Sequence, residues 1–214
     1  MKRVKYTIAN WKMNGLKDSI KIVKSIGNYI ERTKYKKSEI VICPPYTLLS
    51  QFINSEKKIR FGGQDCHHYD NGAYTGSISA QMIKSIGCNY VIIGHSERRE
   101  YNKETSNQLN LKIEAAIKNK LKVIYCIGEK KDQIKKRNSI LNSQLASLPN
   151  NFDSKKIIIA YEPVWAIGTG KIPTLKEINN IHLSIRKMLL KKIGLNQIYK
   201  IAILYGGSVN SSNA

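Results

Sequence analysis

Seven short apolar runs, rich in β-branched residues, recur along the chain: VKYTIAN (4–10), EIVICP (39–44), KIRFGG (58–63), NYVIIG (89–94), LKVIYCIG (121–128), KIIIAY (156–161) and YKIAILYGG (199–207). They are nearly continuous in apolarity rather than alternating, as expected of parallel strands covered on both faces. Between them the period becomes helical. Leu16, Ile20, Val23, Ile26 and Ile30 share one face, and so do Leu175, Ile178, Ile181, Ile185 and Met188. Thr105-x-x-Gln108 and Thr174-x-x-Glu177 have the form of capping boxes and mark helix starts. Parallel strands need crossovers rather than tight turns, so this alternation predicts successive βα units around a parallel sheet. With no linker, low-complexity stretch or composition break, residues 1–214 read as a single domain.

Periodicity alone leaves a closed (β/α)8 barrel and an open doubly wound sheet both standing. The GxGxxG turn of a dinucleotide-binding sheet is absent after the first run, where the chain reads Asn10-Trp11-Lys12-Met13-Asn14-Gly15. Polar side chains follow several predicted strand ends instead: Asn10 and Lys12, Gln64, His95, Glu162 and Ser208. Chemistry gathered from many strand ends is the pattern of a barrel face.

Composition narrows the class. There are 36 Lys and Arg against 15 Asp and Glu, a formal net charge of +21. The lysines are spread along the chain and no nucleic-acid-binding motif accompanies them, so the charge is read as composition rather than as a nucleic-acid footprint. No apolar run is long enough to span a bilayer. The N-terminal MKRVKYTIANWKMNG has no apolar core or small-residue cleavage site, so the expectation is a cytoplasmic protein without a signal peptide. Cys43, Cys66, Cys88 and Cys126 occur singly, without CxxC, and read as reduced thiols; Cys66-His67-His68 lacks ligand spacing, and no metal is expected.

Four segments carry candidate chemistry. In VIIGHSERRE, His95 follows a buried run and precedes Ser96 and Glu97. At the start of a helical turn it faces free N–H groups, whose field disfavours imidazolium and leaves a neutral ring able to donate to a carbonyl oxygen. Lys12, two residues beyond Asn10, can offset negative charge on a substrate or intermediate. Glu162 closes an isoleucine-rich run, where partial burial strengthens a carboxylate as a base. Behind it come Pro163, Val164, Trp165, Ala166, Ile167, Gly168, Thr169, Gly170 and Lys171, a stretch stiff at its hinge and loose in its middle, as in a lid. The "GTGK" within it is not a P-loop: the first glycine would fall at Trp165, and Ile172 stands where Ser or Thr should bind magnesium. Gly206, Gly207 and Ser208, just past the last run, have the character of an anion nest.

In order and spacing, ANWKMNG, VIIGHSERR, YEPVWAIGTGK and YGGSVN closely resemble the triosephosphate isomerase family, and CIGEK (126–130) and GGQDCHHYDNGAYTGSIS (62–79) resemble further segments of it. The resemblance runs from Tyr6 to the end of the chain. It implies an α/β fold, the (β/α)8 TIM barrel, and a cofactor-free isomerase of glycolysis and gluconeogenesis that interconverts dihydroxyacetone phosphate and D-glyceraldehyde 3-phosphate. By that resemblance Glu162 moves the proton between carbons, neutral His95 polarises the carbonyl, Lys12 stabilises the enediolate and Asn10 helps position substrate. Gly168 and Ser208, with Gly206 and Gly207, would hold the phosphate. Thr75 would lie in the loop by which the family forms homodimers, and Glu97 would brace the Lys12 region beside Ser96.

Three departures accompany the resemblance, one of them at the lid's far hinge, where Lys171-Ile172-Pro173 replaces a small-residue pattern common in the family. The chain ends at Ala214, after its seventh run, whereas the family continues through an eighth strand that completes the phosphate site. The expectation is a barrel truncated after the seventh strand and lacking the C-terminal eighth βα unit. Asp65 stands where the family usually has Asn. Two alternatives stay open at this stage: another sugar-phosphate barrel enzyme, or a truncated, inactive barrel kept as a basic binding protein.

Overall fold

The computed structural model describes residues 4–35, 38–166, 173–207 and 209. Each of the seven apolar runs contains a strand: β1 (Tyr6–Asn10), β2 (Glu39–Cys43), β3 (Arg60–Gly63), β4 (Tyr90–Ile93), β5 (Lys122–Ile127), β6 (Ile157–Tyr161) and β7 (Ala202–Tyr205). Helices fall between them: α1 (Ile20–Thr33), α2 (Tyr46–Ser55), α3 (Ala80–Ser85), α4 (Ser96–Tyr101), α5 (Ser106–Lys118), α6 (Arg137–Leu145), α7 (Leu175–Ile193) and α8 (Leu195–Ile198). The expected strand–helix order is thus observed, and the fold class is α/β.

The chain divides into two compact units. The first comprises residues 1–93 and 112–123. In it β1 pairs parallel with β2 in the register Tyr6↔Glu39 to Asn10↔Cys43, β2 with β3 at Val41↔Arg60, and β3 with β4 at Gly62↔Tyr90. The second comprises residues 94–111 and 124–214, where β6 pairs parallel with β7 from Ile158↔Ala202 to Tyr161↔Tyr205.

Burial follows the sequence pattern in the strands richest in Ile and Val. Every residue of β4 and of β6 is buried, as is all of β5 beyond Lys122. In β1 the expectation of two covered faces fails, because its residues alternate between half-buried and exposed. Successive strand side chains point to opposite faces, and Thr7 and Ala9 share the face that stays open.

Local signals place several helix starts. Thr174 Oγ1 accepts from the Glu177 N–H while the Glu177 carboxylate accepts from the Thr174 N–H at 2.7 Å, closing the expected box at the head of α7. Thr105 and Gln108 do the same ahead of α5. Leu16 departs from its expected place. The Leu16 N–H donates to Ser19 Oγ, a 3-10 turn occupies 17–19, and α1 begins only at Ile20, leaving Leu16 80% exposed.

Candidate active site

In the first unit, β1 ends at Asn10, whose side-chain oxygen accepts from the Lys12 N–H at 3.0 Å. Lys12 is thereby held at φ +52°, a left-handed conformation that a non-glycine residue keeps only when its surroundings impose it. Gln64, just past β3, supplies the second constraint: its amide nitrogen donates to the carbonyls of Lys12 and Cys43, both at 2.9 Å. The sequence places Gln64 at a strand end, but only the fold shows that it props the Lys12 backbone. Asp65 beside it forms a buried ion pair with Lys112, at 2.7 Å and 2.9 Å. The charge at this position therefore has its partner inside the same unit. Thr75 lies within the exposed loop stretch 71–77, in a turn in which the Ser77 N–H donates to the Tyr74 carbonyl.

In the second unit, Gly94 and His95 lead from the end of β4 into α4. His95 caps that helix, its Nδ1 accepting from the Glu97 N–H at 3.3 Å. A ring nitrogen that accepts carries no proton, so the proton of a neutral imidazole sits on Nε2. Nε2 faces the Glu162 carboxylate, with Oε2 at 3.5 Å, too long for a hydrogen bond but close enough for both groups to address one substrate. The imidazole is 6% exposed and the carboxylate 18%, so the two groups face each other largely out of water. Ser96, Glu162 and Val164 line one cavity with Gly94, Arg99 and Gly128. Glu97 presents its own carboxylate 3.6 Å from His95 Nδ1.

Glu162 continues β6 past its last residue, its N–H donating to the Ile127 carbonyl at 2.8 Å. Pro163 follows, and Val164–Ala166 form a 3-10 turn. This first part of the expected lid is anchored by Glu129, which is fully buried. The Glu129 carbonyl accepts from the Val164 N–H, and its carboxylate from Trp165 Nε1 at 3.1 Å, Arg137 Nε at 2.8 Å and the Tyr161 hydroxyl at 3.1 Å. Such a set satisfies a buried carboxylate by charge-assisted bonds. Its charge also acts on its neighbours. Burial, then the Glu129 charge, pushes the Tyr161 hydroxyl well up; for Arg137, burial opposes the cation but the Glu129 carboxylate outweighs it. In the sequence Glu129 stands out only as part of the CIGEK segment. A single carboxylate after a strand carries no signal of three donors arriving from elsewhere. Ile167, Gly168, Thr169, Gly170 and Lys171 lie outside the described residues.

The glycine pair after β7 changes its expected role. The Gly206 N–H donates to the Tyr161 carbonyl at 2.8 Å, extending the β6–β7 ladder, so this amide is not one that faces a phosphate. What Gly206 contributes is the lack of a side chain: a Cβ there would stand 2.6 Å from Glu162 Cγ and 3.0 Å from Oε1. Gly207 follows at φ +138°, and Ser208 lies outside the described residues.

Among the described residues, no cluster of three or more His, Cys, Asp or Glu is placed to hold a metal ion. No helix among them is long and apolar enough to cross a membrane. The four cysteines are free and buried.

Comparison with known proteins gives one consistent result. The family model described as triosephosphate isomerase matches residues 5–214. The triosephosphate isomerase of Bartonella bacilliformis is 42% identical over 211 residues, spanning 96% of this chain and 82% of that protein. That of Alkaliphilus oremlandii is 39% identical over 213 residues, spanning 96% and 85%. The crystal structure of triosephosphate isomerase from Bartonella henselae matches with a TM-score of 0.87 at 38% identity, covering 97% of this chain and 84% of that one.

Proposed function

The chain belongs to the triosephosphate isomerase family and has its TIM-barrel fold, and on that premise we propose how its residues interconvert dihydroxyacetone phosphate and D-glyceraldehyde 3-phosphate. Glu162 is the base: it takes a proton from the carbon beside the carbonyl and returns it to the neighbouring carbon, through an enediolate. His95, with Nδ1 occupied by the Glu97 N–H, offers its Nε2 proton to the carbonyl oxygen and relays protons between the two oxygens. Lys12 stabilises the enediolate charge and Asn10 orients the substrate, roles that rest on the motif resemblance and on the braced Lys12 backbone. Gly207, together with Ser208 and Gly168, receives the phosphate. The segment 163–171 closes over it and excludes water, hinged where Glu129 grips Val164 and Trp165.

A cytoplasmic homodimer goes with this reading. Thr75, in its exposed loop, is suited to reach a second copy. Residues 1–214 are read as one barrel domain on the strength of a family match that runs through both units. That match also favours this function over another sugar-phosphate barrel enzyme or an inactive basic binding protein.

The observation that carries the reading is the convergence of Glu162 Oε2 and His95 Nε2, 3.5 Å apart in a mostly buried setting. It is tested with Glu162→Gln in a coupled assay of triose-phosphate interconversion. A general base contributes about 10²–10⁴-fold, so kcat should fall by at least that much while KM stays within a few-fold. Retention of activity within a few-fold of the parent would overturn the assignment.

A further inference from the structure

Gln144, in the last turn of α6, turns its side-chain amide onto one residue, Gly128. Its Oε1 accepts from the Gly128 N–H at 2.8 Å and its Nε2 donates to the Gly128 carbonyl at 2.9 Å. Gly128 follows directly on β5. Its two chain neighbours are engaged on the opposite side: the Ile127 carbonyl takes the Glu162 N–H and the Glu129 carbonyl takes the Val164 N–H. Backbone groups alternate in direction along an extended chain. Gly128's own donor and acceptor therefore point away from the Glu162 segment, and Gln144 satisfies both of them. Among uncharged side chains that reach this far, only the primary amide of glutamine presents an acceptor and a donor side by side in one plane.

The glycine held in this way is the floor on which the base rests. A Cβ on Gly128 would lie 1.8 Å from the Glu162 carbonyl oxygen and 2.7 Å from its carbonyl carbon. No side chain fits, and the Glu162 peptide packs directly on the Gly128 backbone. Any shift of Gly128 is transmitted to the Glu162 segment, because Glu162 is tied to Ile127 on one side of Gly128 and Val164 to Glu129 on the other. A second tie runs from the same helix turn. The Gln144 carbonyl accepts from the Tyr125 hydroxyl at 2.6 Å, and that hydroxyl accepts from Arg99, whose guanidinium also donates to the Gly94 carbonyl just before His95. One turn of α6 thus connects to the backbone beside both reacting groups.

We propose that Gln144 is a positioning residue for the isomerase reaction, holding Glu162 at its working distance from His95 by clamping the Gly128 backbone. The proposal rests on the reading of Glu162 as the base. Gln144 touches no substrate; it sets where the base stands. A displacement near 1 Å at a reacting group costs about 100-fold in rate, and the phosphate contacts assigned above do not involve Gly128.

The test uses Gln144→Met, which keeps length but cannot bond either Gly128 group, and Gln144→Glu, which keeps only the acceptor for the Gly128 N–H. For Gln144→Met, kcat falls roughly 10–100-fold with KM within about threefold. Proton transfer then limits turnover, so the primary isotope effect rises with substrate deuterated at the carbon that loses its proton. Gln144→Glu falls between Gln144→Met and the parent. Unchanged kcat overturns the proposal. So does a loss of kcat that tracks loss of thermal stability while the isotope effect stays at the parent value, because that is what a merely structural tie produces. If Gln144→Met does not fold, Gln144→Glu is judged by the same criteria. Glu162→Gln, run alongside, separates the two levels: near-parent activity there removes the base assignment itself, whereas an inactive Glu162→Gln beside a fully active Gln144→Met removes only the clamp.

Discussion

Replacing Gly206 with alanine adds one methyl group at a point where the structure leaves no room for it. The new Cβ would lie 2.6 Å from Glu162 Cγ, 3.3 Å from Cδ and 3.0 Å from Oε1. Carbon atoms in contact sit about 3.5–4.0 Å apart, so Glu162 Cγ has to retreat by about 1 Å. The backbone has no objection: Gly206 is not in the left-handed region, and its N–H bond to the Tyr161 carbonyl is unaffected by a side chain. The obstacle is the Glu162 side chain from Cγ outward, which yields by leaving its preferred rotamer at a cost of about 0.5–1.5 kcal/mol. Catalysis is more sensitive. A base moved about 1 Å from its reacting position loses about 100-fold, equivalent to about 2.7 kcal/mol in the activation free energy of the reaction. The expected result for Gly206→Ala is therefore kcat down about 100-fold, KM within a few-fold, and a melting curve close to the parent's. Interconversion of the two triose phosphates in a coupled assay gives the first two quantities, and circular dichroism gives the third. A kcat within threefold of the parent would refute the reasoning, because either the base does not stand beside Gly206 or its position does not matter. A large loss of stability would refute the claim that Glu162 is the part that yields.

Two further outcomes follow from buried charge. Burial, and then the nearby Arg186 cation, pushes the His182 imidazole down from its ordinary 6.5 to about 4. The folded protein therefore binds fewer protons than the unfolded one between these values; its stability is full above pH 6.5 and is lost as pH falls toward 4. With the ring only half-buried, solvent screening holds the loss to about 2 kcal/mol, and urea unfolding at pH 7.5 and pH 5 should show it shrinking in His182→Leu; an identical pH dependence in parent and variant rules it out. Asp65→Asn removes the anion facing Lys112, whose side chain is 9% exposed, and should cost about 1–3 kcal/mol, part of it recovered in the double variant with Lys112→Met. A melting temperature equal to the parent's would show that the pair is not what holds Lys112 inside.

Local pattern carried much of the fold. The Ile- and Val-rich runs lie on the observed strands because buried parallel strands demand continuous apolarity, and the Thr174–Glu177 and Thr105–Gln108 pairs cap helices because their partners lie three residues apart. His95, Glu162, Asn10 and Lys12 were visible as polar residues just beyond strand ends, and the motif resemblance gave them roles. Leu16 falls outside α1 because periodicity does not see a 3-10 turn closed by the Ser19 hydroxyl. The supporting contacts of the site are not visible in sequence, where Gln64 shows only as a polar residue at a strand end. Gln64, Glu129 and Gln144 are ordinary residues in sequence, and they acquire meaning from groups 52, 36 and 16 residues away.

The sequence by itself determined which segments become strands, where the threonine-capped helices α5 and α7 begin and which side chains stand at the strand ends, since these depend on neighbours within a turn or two. Only the tertiary structure decided that His95 Nε2 faces Glu162, that Gly206 leaves room for the Glu162 side chain and that Gln144 bonds both backbone groups of Gly128. Those facts concern distances between atoms brought together by packing, and packing depends on the whole chain at once.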